Sequence, residues 1–599
     1  MAASPNDSLQ KTVSFTLKLN NKELASTYSV MQIHVWNEAF KISRAKISIT
    51  GGNSYKNTFE ESEQTDFEPG KEVQISIGYD SVNTLVFKGI ILKHRVEISE
   101  GYLNLASRSL LVLECSDKAI ALCNARKSAI FEDKLDSEVI STIAAGASLE
   151  KKVDATTVSH PFLTQYDITD WDFLLKRARA NGLVVFNTQN ALTVTVPKVS
   201  GSATLNVKQG DDVTSFTGEV DAYTQLQAVE SLSWDTFKET ELKQSGSEPS
   251  GLDKPGDKVG KTLGKVASPA TLSFGVKAPL GTKELKALAD ALLVESRFKR
   301  VRGEVSFRGV ATLKLGSLIS LEGFGKTFNG TVYVSSIQHI VKDGNYSTRV
   351  GFGLPEGLLR QGLREDANGW MGPVSGLHIG IVKKIDKDPL SQYRIKVMIP
   401  SIKSTGEGVW AMLTHFYATS AAGIFFIPEL NDEVLVGFLN DDPRYPVVLG
   451  SLYNDKHKPK ETFVADNSIK SIVTKNKLTM EFNDKDKIIT LTTPGKNKIV
   501  ISDKGKSITI EDQNGNSIVT SASGIEVKSK KNITFDSKAE IKLTSTKAIT
   551  IKSSSDSVTL DAKDVEVKAK GKFKVTASSG ADIKSTGQVN IKGSMVNVN

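Results

Sequence analysis

From Ile525 onward, pairs of apolar residues one position apart return every eight residues. The pairs are Ile525/Val527, Ile533/Phe535, Ile541/Leu543 and Ile549/Ile551. After one slipped register at Val558/Leu560 the frame resumes with Val565/Val567 and Phe573/Val575. Ile583 with its small partner Ala581, then Val589/Ile591 and, slipped again, Val596/Val598 complete the series. Upstream, Ile489/Leu491, Ile499/Ile501 and Ile508/Ile510 repeat the doublet at looser spacing. Residues i and i+2 share one face of a strand, so each doublet reads as a very short strand with a single apolar face. The Lys, Ser, Thr, Asp, Ala and Gly between them suit corners and an outer surface, and glycines such as Gly571, Gly580 and Gly587 stand where a positive φ is accessible.

A stripe two residues wide gives one chain too little burial to offset the entropy of ordering it, and it leaves both strand edges open. Three chains wound around one axis meet both needs. The pattern therefore predicts an intertwined trimeric β-helix over 484–599. Its core is expected to hold Ile525, Val527, Ile533, Phe535, Ile541, Leu543, Ile549, Ile551, Val565, Val567, Phe573, Val575, Val589 and Ile591. A monomeric solenoid would need coils of roughly 20 residues with apolar ladders on several faces. A disordered tail would not maintain a β-branched frame.

Charge is distributed unevenly. The net charge is +8, yet 456–599 holds 26 Lys against 16 Asp or Glu, so the rest of the chain carries −2. Every tail cation is Lys, whereas nucleic-acid readers rely on Arg forks and aromatic stacking. A solvated Lys-bearing surface accounts for the excess, and no nucleic-acid partner is expected. Met1-Ala-Ala-Ser-Pro-Asn-Asp7 has neither a basic start nor an apolar core, which predicts no signal peptide and assembly in the cytoplasm. Two cysteines, Cys115 and Cys123, make no disulfide framework.

The 599 residues exceed one hydrophobic core. Four segments are expected: a hub over 1–370, a barrel over 371–455, a polar connector over 456–483 and the spike over 484–599. The hub mixes alternating strands (Thr12–Leu19, Ile42–Ile49, Glu72–Gly78, Leu85–His94, Leu110–Cys115) with helical patterns at Ser137–Ala145, Asp170–Asn181 and Thr282–Arg297. Asp170 and Thr282 stand where N-caps are expected, and Lys243–Ser268 reads as a surface loop. Five short strands, His378–Lys384, Tyr393–Ile399, Val409–Met412, Glu433–Phe438 and Val447–Leu452, suit a small closed OB-type barrel.

The barrel carries a distinctive run: Trp410-Ala-Met-Leu, Gly423-Ile-Phe-Phe-Ile-Pro428, Asn431-Asp-Glu433-Val-Leu-Val-Gly-Phe438, Asp441-Asp442-Pro443-Arg-Tyr-Pro446 and Gly450-Ser-Leu-Tyr-Asn454. This run resembles the barrel of the VgrG family, the type VI secretion spikes related to the hub and puncturing proteins of contractile phage tails. Gln165–Leu175 with Ala180–Phe186, and Gly316–Gly323 with Tyr333–His339, resemble that family's hub. At Tyr393-Arg-Ile-Lys-Val-Met-Ile-Pro400 the chain departs from the His-Trp-Asp run of many type VI spikes, which favours an extracellular phage-tail-like particle or a divergent branch.

The resemblance implies a mainly β chain with two barrel-like α+β subdomains in the hub. It implies a homotrimeric needle at the end of the inner tube of a contractile injection system, which punctures a target envelope. Inner-tube and baseplate proteins would dock on the hub. A conical Pro-Ala-Ala-Arg-repeat (PAAR) tip protein would cap Val596, Val598 and Asn599, effector cargo would ride on the spike, and contact with the target membrane would be transient. Trp410, Gly423, Pro428, Glu433, Asp442, Pro443, Pro446 and Gly450 would be the barrel's family residues. The competing reading from another class is a trimeric adhesin or tail fibre binding surface glycans.

Chemistry is sparse. Seven histidines are scattered without metal-ligand spacing, and no Gly-x-Ser-x-Gly elbow occurs. Gly256-Asp-Lys-Val-Gly260-Lys-Thr262 is one residue short of a phosphate loop. Asp441-Asp442-Pro443 reads as a turn rather than a carboxylate pair. No catalytic residue, cofactor or metal is expected.

Overall fold

The computed structural model describes residues 4–8, 11–53, 58–99, 108–236, 238–252, 254–354, 371–403 and 405–598. They fall into two units, Met1–Pro459 and Lys460–Asn599. In the first, the stretch Thr331–Val341 is dense in β-branched residues and forms the middle of the 13-residue strand Gly330–Lys342. Its start pairs with Leu318–Glu322; further on it lies between Asn345–Phe352 and Val30–Glu38. One sheet of 13 strands results. On one side it runs through Asn345–Phe352 and Val301–Arg308 to Val213–Val220. On the other it runs through Val30–Glu38, Arg44–Thr50, Arg108–Ser116, Val82–Ser99 and Glu72–Tyr79 to Val13–Leu19. Alternating side chains feed two cores, one around Ile33, Ile47, Ile75 and Phe87, the other around Val305, Phe307, Val332 and Val350. The two expected subdomains are thus lobes of a shared sheet.

Helices Asp136–Gly146, Asp170–Ala180 and Thr282–Phe298 form close to where periodicity places them. Their caps differ from expectation. Thr169, not Asp170, caps the second helix, its hydroxyl accepting the Asp172 N–H at 3.1 Å. The third begins after Gly281 with no side-chain cap. Asp170 is instead bonded to Gln165 and Lys127. The expected loop Lys243–Ser268 is also partly ordered, since strand Thr240–Ser245 runs into it and Gly260–Gly264 is a short helix.

The barrel closes in the order His378–Lys384, Ile395–Met398, Val409–Leu413, Pro446–Leu452, Glu433–Phe438. Val409–Leu413 and Pro446–Leu452 run parallel; the other pairs are antiparallel. Val382, Val397, Ala411, Val434, Val436 and Val448 fill the interior. Gly380 also faces inward, where a Cβ would stand 2.4 Å from Val397 Cγ1, so packing forbids a side chain there. Ahead of Ile395–Met398, the Asp388 carboxylate accepts from the N–H groups of Leu390, Gln392 and Arg394, and from the Arg394 guanidinium at 2.6 Å.

The barrel is tied to the hub by buried charge. Arg444 donates to Asp442 at 2.7 Å and to Glu284, in the first turn of Thr282–Phe298, at 2.6 Å. Next to it, His160 lies 3.2 Å from Asp136, which Arg177 grips with two bonds of 2.6 and 2.9 Å. Burial alone would raise the Asp136 carboxyl, yet Arg177 and His160 hold it far below the usual carboxylate range. Burial likewise opposes the Arg444 charge, and Asp442 and Glu284 overcome it.

Arg444→Met leaves buried Asp442 and largely enclosed Glu284 without their counter-ion, so it should cost about 3–5 kcal/mol in urea denaturation. Lys41→Met, in an exposed pair with Glu38, should cost less than about 1 kcal/mol. Equal effects would show that the buried link bears no load.

Acid supplies a second check. Burial pulls the Asp388 pKa up, but Arg394 and the three amides win and leave it at about 2, below the ordinary 3.8. Its contribution to stability is therefore complete above pH ~4 and is lost as pH falls toward 2. The thermal midpoint of the wild type should fall more steeply across that window than that of Asp388→Asn; parallel curves would contradict the assignment.

Candidate trimerisation surface

In the second unit, seven five-residue strands, from Ile469–Val473 to Gly524–Lys528, form one antiparallel sheet in chain order. Tight turns join them, and residues in the left-handed region stand at their ends: Lys477, Lys487, Lys496, Lys506 and Gly515. Two of these strands, Ile469–Val473 and Thr479–Asn483, lie in what the sequence reading takes for a connector. The strands of 484–528 also pair within one chain, where pairing between chains is expected. Local turn chemistry is the physical reason: the Asp512 carboxylate accepts from the Asn514 and Asn516 N–H groups, and Gly515 and Gly524 supply positive φ, so even the two-residue turn after Ser521 closes a hairpin.

The register aligns the doublets into two columns. Ile472, Met480, Leu491, Ile499, Ile510, Ile518 and Val527 are successive cross-strand partners in one. Phe482, Ile489, Ile501, Ile508, Thr520 and Ile525 make the other. The opposite face carries Thr490, Val500, Thr509 and Val519, with a Lys498–Glu511 ion pair of 2.9 Å beside them. The first column lines an open trough of about 820 Å³. Ile499 remains 38% exposed and Ile510 46%, because among the described residues of this unit no second layer covers them. Covering one such side chain contributes on the order of 1 kcal/mol.

Beyond Lys528 the backbone changes character. Bends fall at 530–531, 538–539, 546–547, 554–556, 563, 570–571, 578–579 and 586–587, close to every eight residues, with extended segments between. The three-residue bend at 554–556 takes up the slip at Val558/Leu560. Among the described residues of this stretch, no strand pairs with another in the same chain. Ile525 and Val527 stand on the last strand of the sheet, while Ile533, Phe535, Ile541, Leu543, Ile549, Ile551, Val565, Val567, Phe573, Val575, Val589 and Ile591 stand on the extended segments, all exposed. Val596 and Val598 are exposed as well, and Asn599 lies outside the described residues.

The barrel residues that the resemblance singles out have structural settings. Trp410 is buried, with the Arg394 guanidinium 6.0 Å and the Lys396 ammonium 5.9 Å from its ring. Glu433 accepts from Asn454 at 3.3 Å. Gly423 has φ +153° in a small hairpin where a Cβ would meet the Tyr417 carbonyl at 2.6 Å. Pro428 follows that hairpin, Pro446 opens the last barrel strand, and Gly450 sits beside its irregularity opposite Leu435. Asp442 and Pro443 form the expected turn, but the Arg444–Glu284 pair it presents was not foreseen. Among the described residues no cluster of His, Cys, Asp and Glu could hold a metal. His339 is enclosed with Tyr346, 2.8 Å away, and burial pushes its pKa down to about 3.

A strand-rich hub, a closed five-stranded barrel and a repetitive β tail define a spike-like chain of the VgrG and phage-baseplate class. Residues 378–453 match the type VI secretion system/phage-baseplate injector OB domain, and 488–548 match the phage baseplate V C-terminal trimerisation domain. Residues 9–343, more than half of the chain, match the Alg8 N-terminal domain, and the chain belongs to that family. No curated protein matches the sequence. Among solved structures, the lidless Francisella PdpA–VgrG complex has a TM-score of 0.52 at 10% identity, covering 87% of this chain and 98% of that one. The lidded form has the same score and identity, covering 87% and 80%. The E. coli c3393 protein, described as a type VI secretion component similar to the T4 bacteriophage tail proteins gp27 and gp5, has 0.44 at 11%, covering 73% and 99%. At these identities the likeness is one of fold.

Ile499→Asp removes no contact from an enclosed core of its own chain, so on an uncovered face it should change stability by less than about 0.5 kcal/mol. If the columns are covered in the working protein, the same change should lower the thermal midpoint of the tail by about 5 °C or more, on the order of a 2 kcal/mol loss. A calorimetric scan of the full chain distinguishes the two.

Proposed function

We propose that three copies join through 469–598 into the central spike of a contractile injection system, standing at the end of its inner tube and driven through a target envelope. One observation carries this reading: two apolar columns, followed by an eight-residue zigzag in which no strand pairs with another among the described residues, the columns and the start of the zigzag lying in the 488–548 match to a trimerisation domain. With three chains, each extended segment finds a hydrogen-bonding neighbour on either side, and the doublets meet at the axis. Work then resides in stiffness and docking surfaces, and the protein is not an enzyme. The hub receives inner-tube and baseplate proteins, and the exposed end at Val596 and Val598 receives a PAAR-type tip. Effector cargo rides on the assembly, and the membrane is touched only in passing. A glycan-binding fibre would favour aromatic platforms at its distal end, and after Phe573 the sequence has no aromatic residue.

No helix among the described residues is long and apolar enough to cross a membrane. Assembly before export fits that, as a particle component delivered by contraction.

Light scattering of the purified chain should give three times its 64.9 kDa mass. Ile541→Asp with Leu543→Asp places like charges from three copies at one level of the axis and should abolish that species. A wild-type mass of one chain, or a double variant that still forms a detergent-resistant trimer, would overturn the reading.

A further inference from the structure

Between barrel strands Val409–Leu413 and Glu433–Phe438 the chain leaves the barrel as a hairpin, Phe416-Tyr-Ala-Thr-Ser-Ala-Ala-Gly-Ile-Phe-Phe426. Ala418–Thr419 pairs with Ala422–Gly423, and the Ile424 N–H donates to the Tyr417 carbonyl at 2.9 Å. This order presents aromatic side chains to solvent: Phe416 is 95% exposed and Phe425 80%, with Phe426 and Tyr417 also exposed. The eleven residues include no charge. A contiguous apolar projection of this kind marks a contact surface, and its lack of charge disfavours phosphate-rich partners.

The same barrel has a second apolar surface. Along His378–Lys384, Gly380 and Val382 point inward, so Ile379 points outward, beside Leu435 on the neighbouring strand and Gly450 on the next. Gly437 is flanked by Leu377 and Leu449, to which a Cβ would lie 3.5 and 3.7 Å away. Leu377, Ile379 and Leu449 are all exposed. Two glycines and three exposed aliphatic side chains make a shallow apolar seat on the outer wall of a barrel.

A ring of three identical copies closes through unlike surfaces, each copy offering one on its left and its complement on its right. The barrel carries both. We propose that the aromatic hairpin 416–426 of one copy seats on the Leu377, Ile379 and Leu449 face of the next copy's barrel, closing a ring of three. The inference rests on the trimer reading above. A second copy is favoured over other partners because the barrel and the trimerising segment belong to one chain, joined by 453–468 alone. Tethering three barrels raises their mutual concentration to the millimolar range, where a modest apolar contact is occupied.

The test uses the full chain. Two tagged versions are co-expressed, one with Phe425→Cys and the other with Leu449→Cys, and mixed trimers are treated with a short bismaleimide. Covalent pairs carrying both tags are expected, with none from trimers of either version alone; the native Cys115 is buried and Cys123 half-buried, so wild type serves as control. As a second measurement without new cysteines, hydroxyl-radical oxidation of Phe416 and Phe425 should be at least fivefold slower in the wild-type trimer than in the Ile541→Asp/Leu543→Asp chain. Intact trimers that give no cross-tag pairs and oxidise at the dissociated chain's rate would overturn the ring contact, leave the trimer standing and assign the hairpin to another partner. A wild-type preparation with the mass of one chain would overturn both.

Discussion

An apolar stripe two residues wide has to be covered by something other than the chain that bears it. Every other feature of the tail follows from that. Strands of five residues cannot fold back to shield their own columns, so Ile499, Ile510 and their neighbours stay half open on a single-layered sheet. Past Lys528 no strand pairs within the chain among the described residues, which leaves backbone donors and acceptors of the extended segments to be met from outside. The tail thus contains two arrangements of one doublet motif: hairpins up to Lys528 and an extended zigzag beyond it.

The first unit depends on a different interaction. Asp442, Arg444 and Glu284 hold full charges largely out of water, an arrangement favoured while all three remain together. Glu284 sits in the first turn of its helix, where the helix dipole also favours an anion. The Asp136–Arg177–His160 group beside it extends the same ionic packing across two helices of the hub. Because the barrel contributes Arg444 and the hub contributes Glu284, the charge pair fixes how barrel and hub meet more tightly than apolar packing, which tolerates sliding.

Much of this was legible in the sequence where the signal is local. The barrel strands His378–Lys384 and Glu433–Phe438 have the expected limits because alternation and flanking turn residues fix both ends. The doublets of the tail were equally plain. Their pairing was not, because intrachain hairpins and interchain strands use the same i, i+2 face. Positive φ was expected at glycines; Gly515 and Gly524 adopt it, and so do Lys487, Lys496 and Lys506, held there by the turn and the strand pairing around them. A cap was expected at Asp170, one residue past the Thr169 that makes it, and at Thr282, where the helix begins after Gly281 with no side-chain cap. Arg444 had no local signal, since its partner Glu284 is 160 residues away. The run Gly423–Pro428 belonged to the barrel's signature, yet its rings stand outside the barrel, which periodicity cannot show because the hairpin strands are only two residues long.

The central claim is that beyond Lys528 the backbone amides of the extended segments, as distinct from those at the bends that bond side chains such as Ser529 and Ser537, are satisfied by other copies. Hydrogen–deuterium exchange of the tail, followed in the assembled wild type and in a chain held monomeric, measures this directly. Strong protection of the extended segments around Ile541 and Val565 in the assembly, and free exchange in the monomer, is the predicted result. Equal protection in both would mean that one chain satisfies its own tail, contrary to the account.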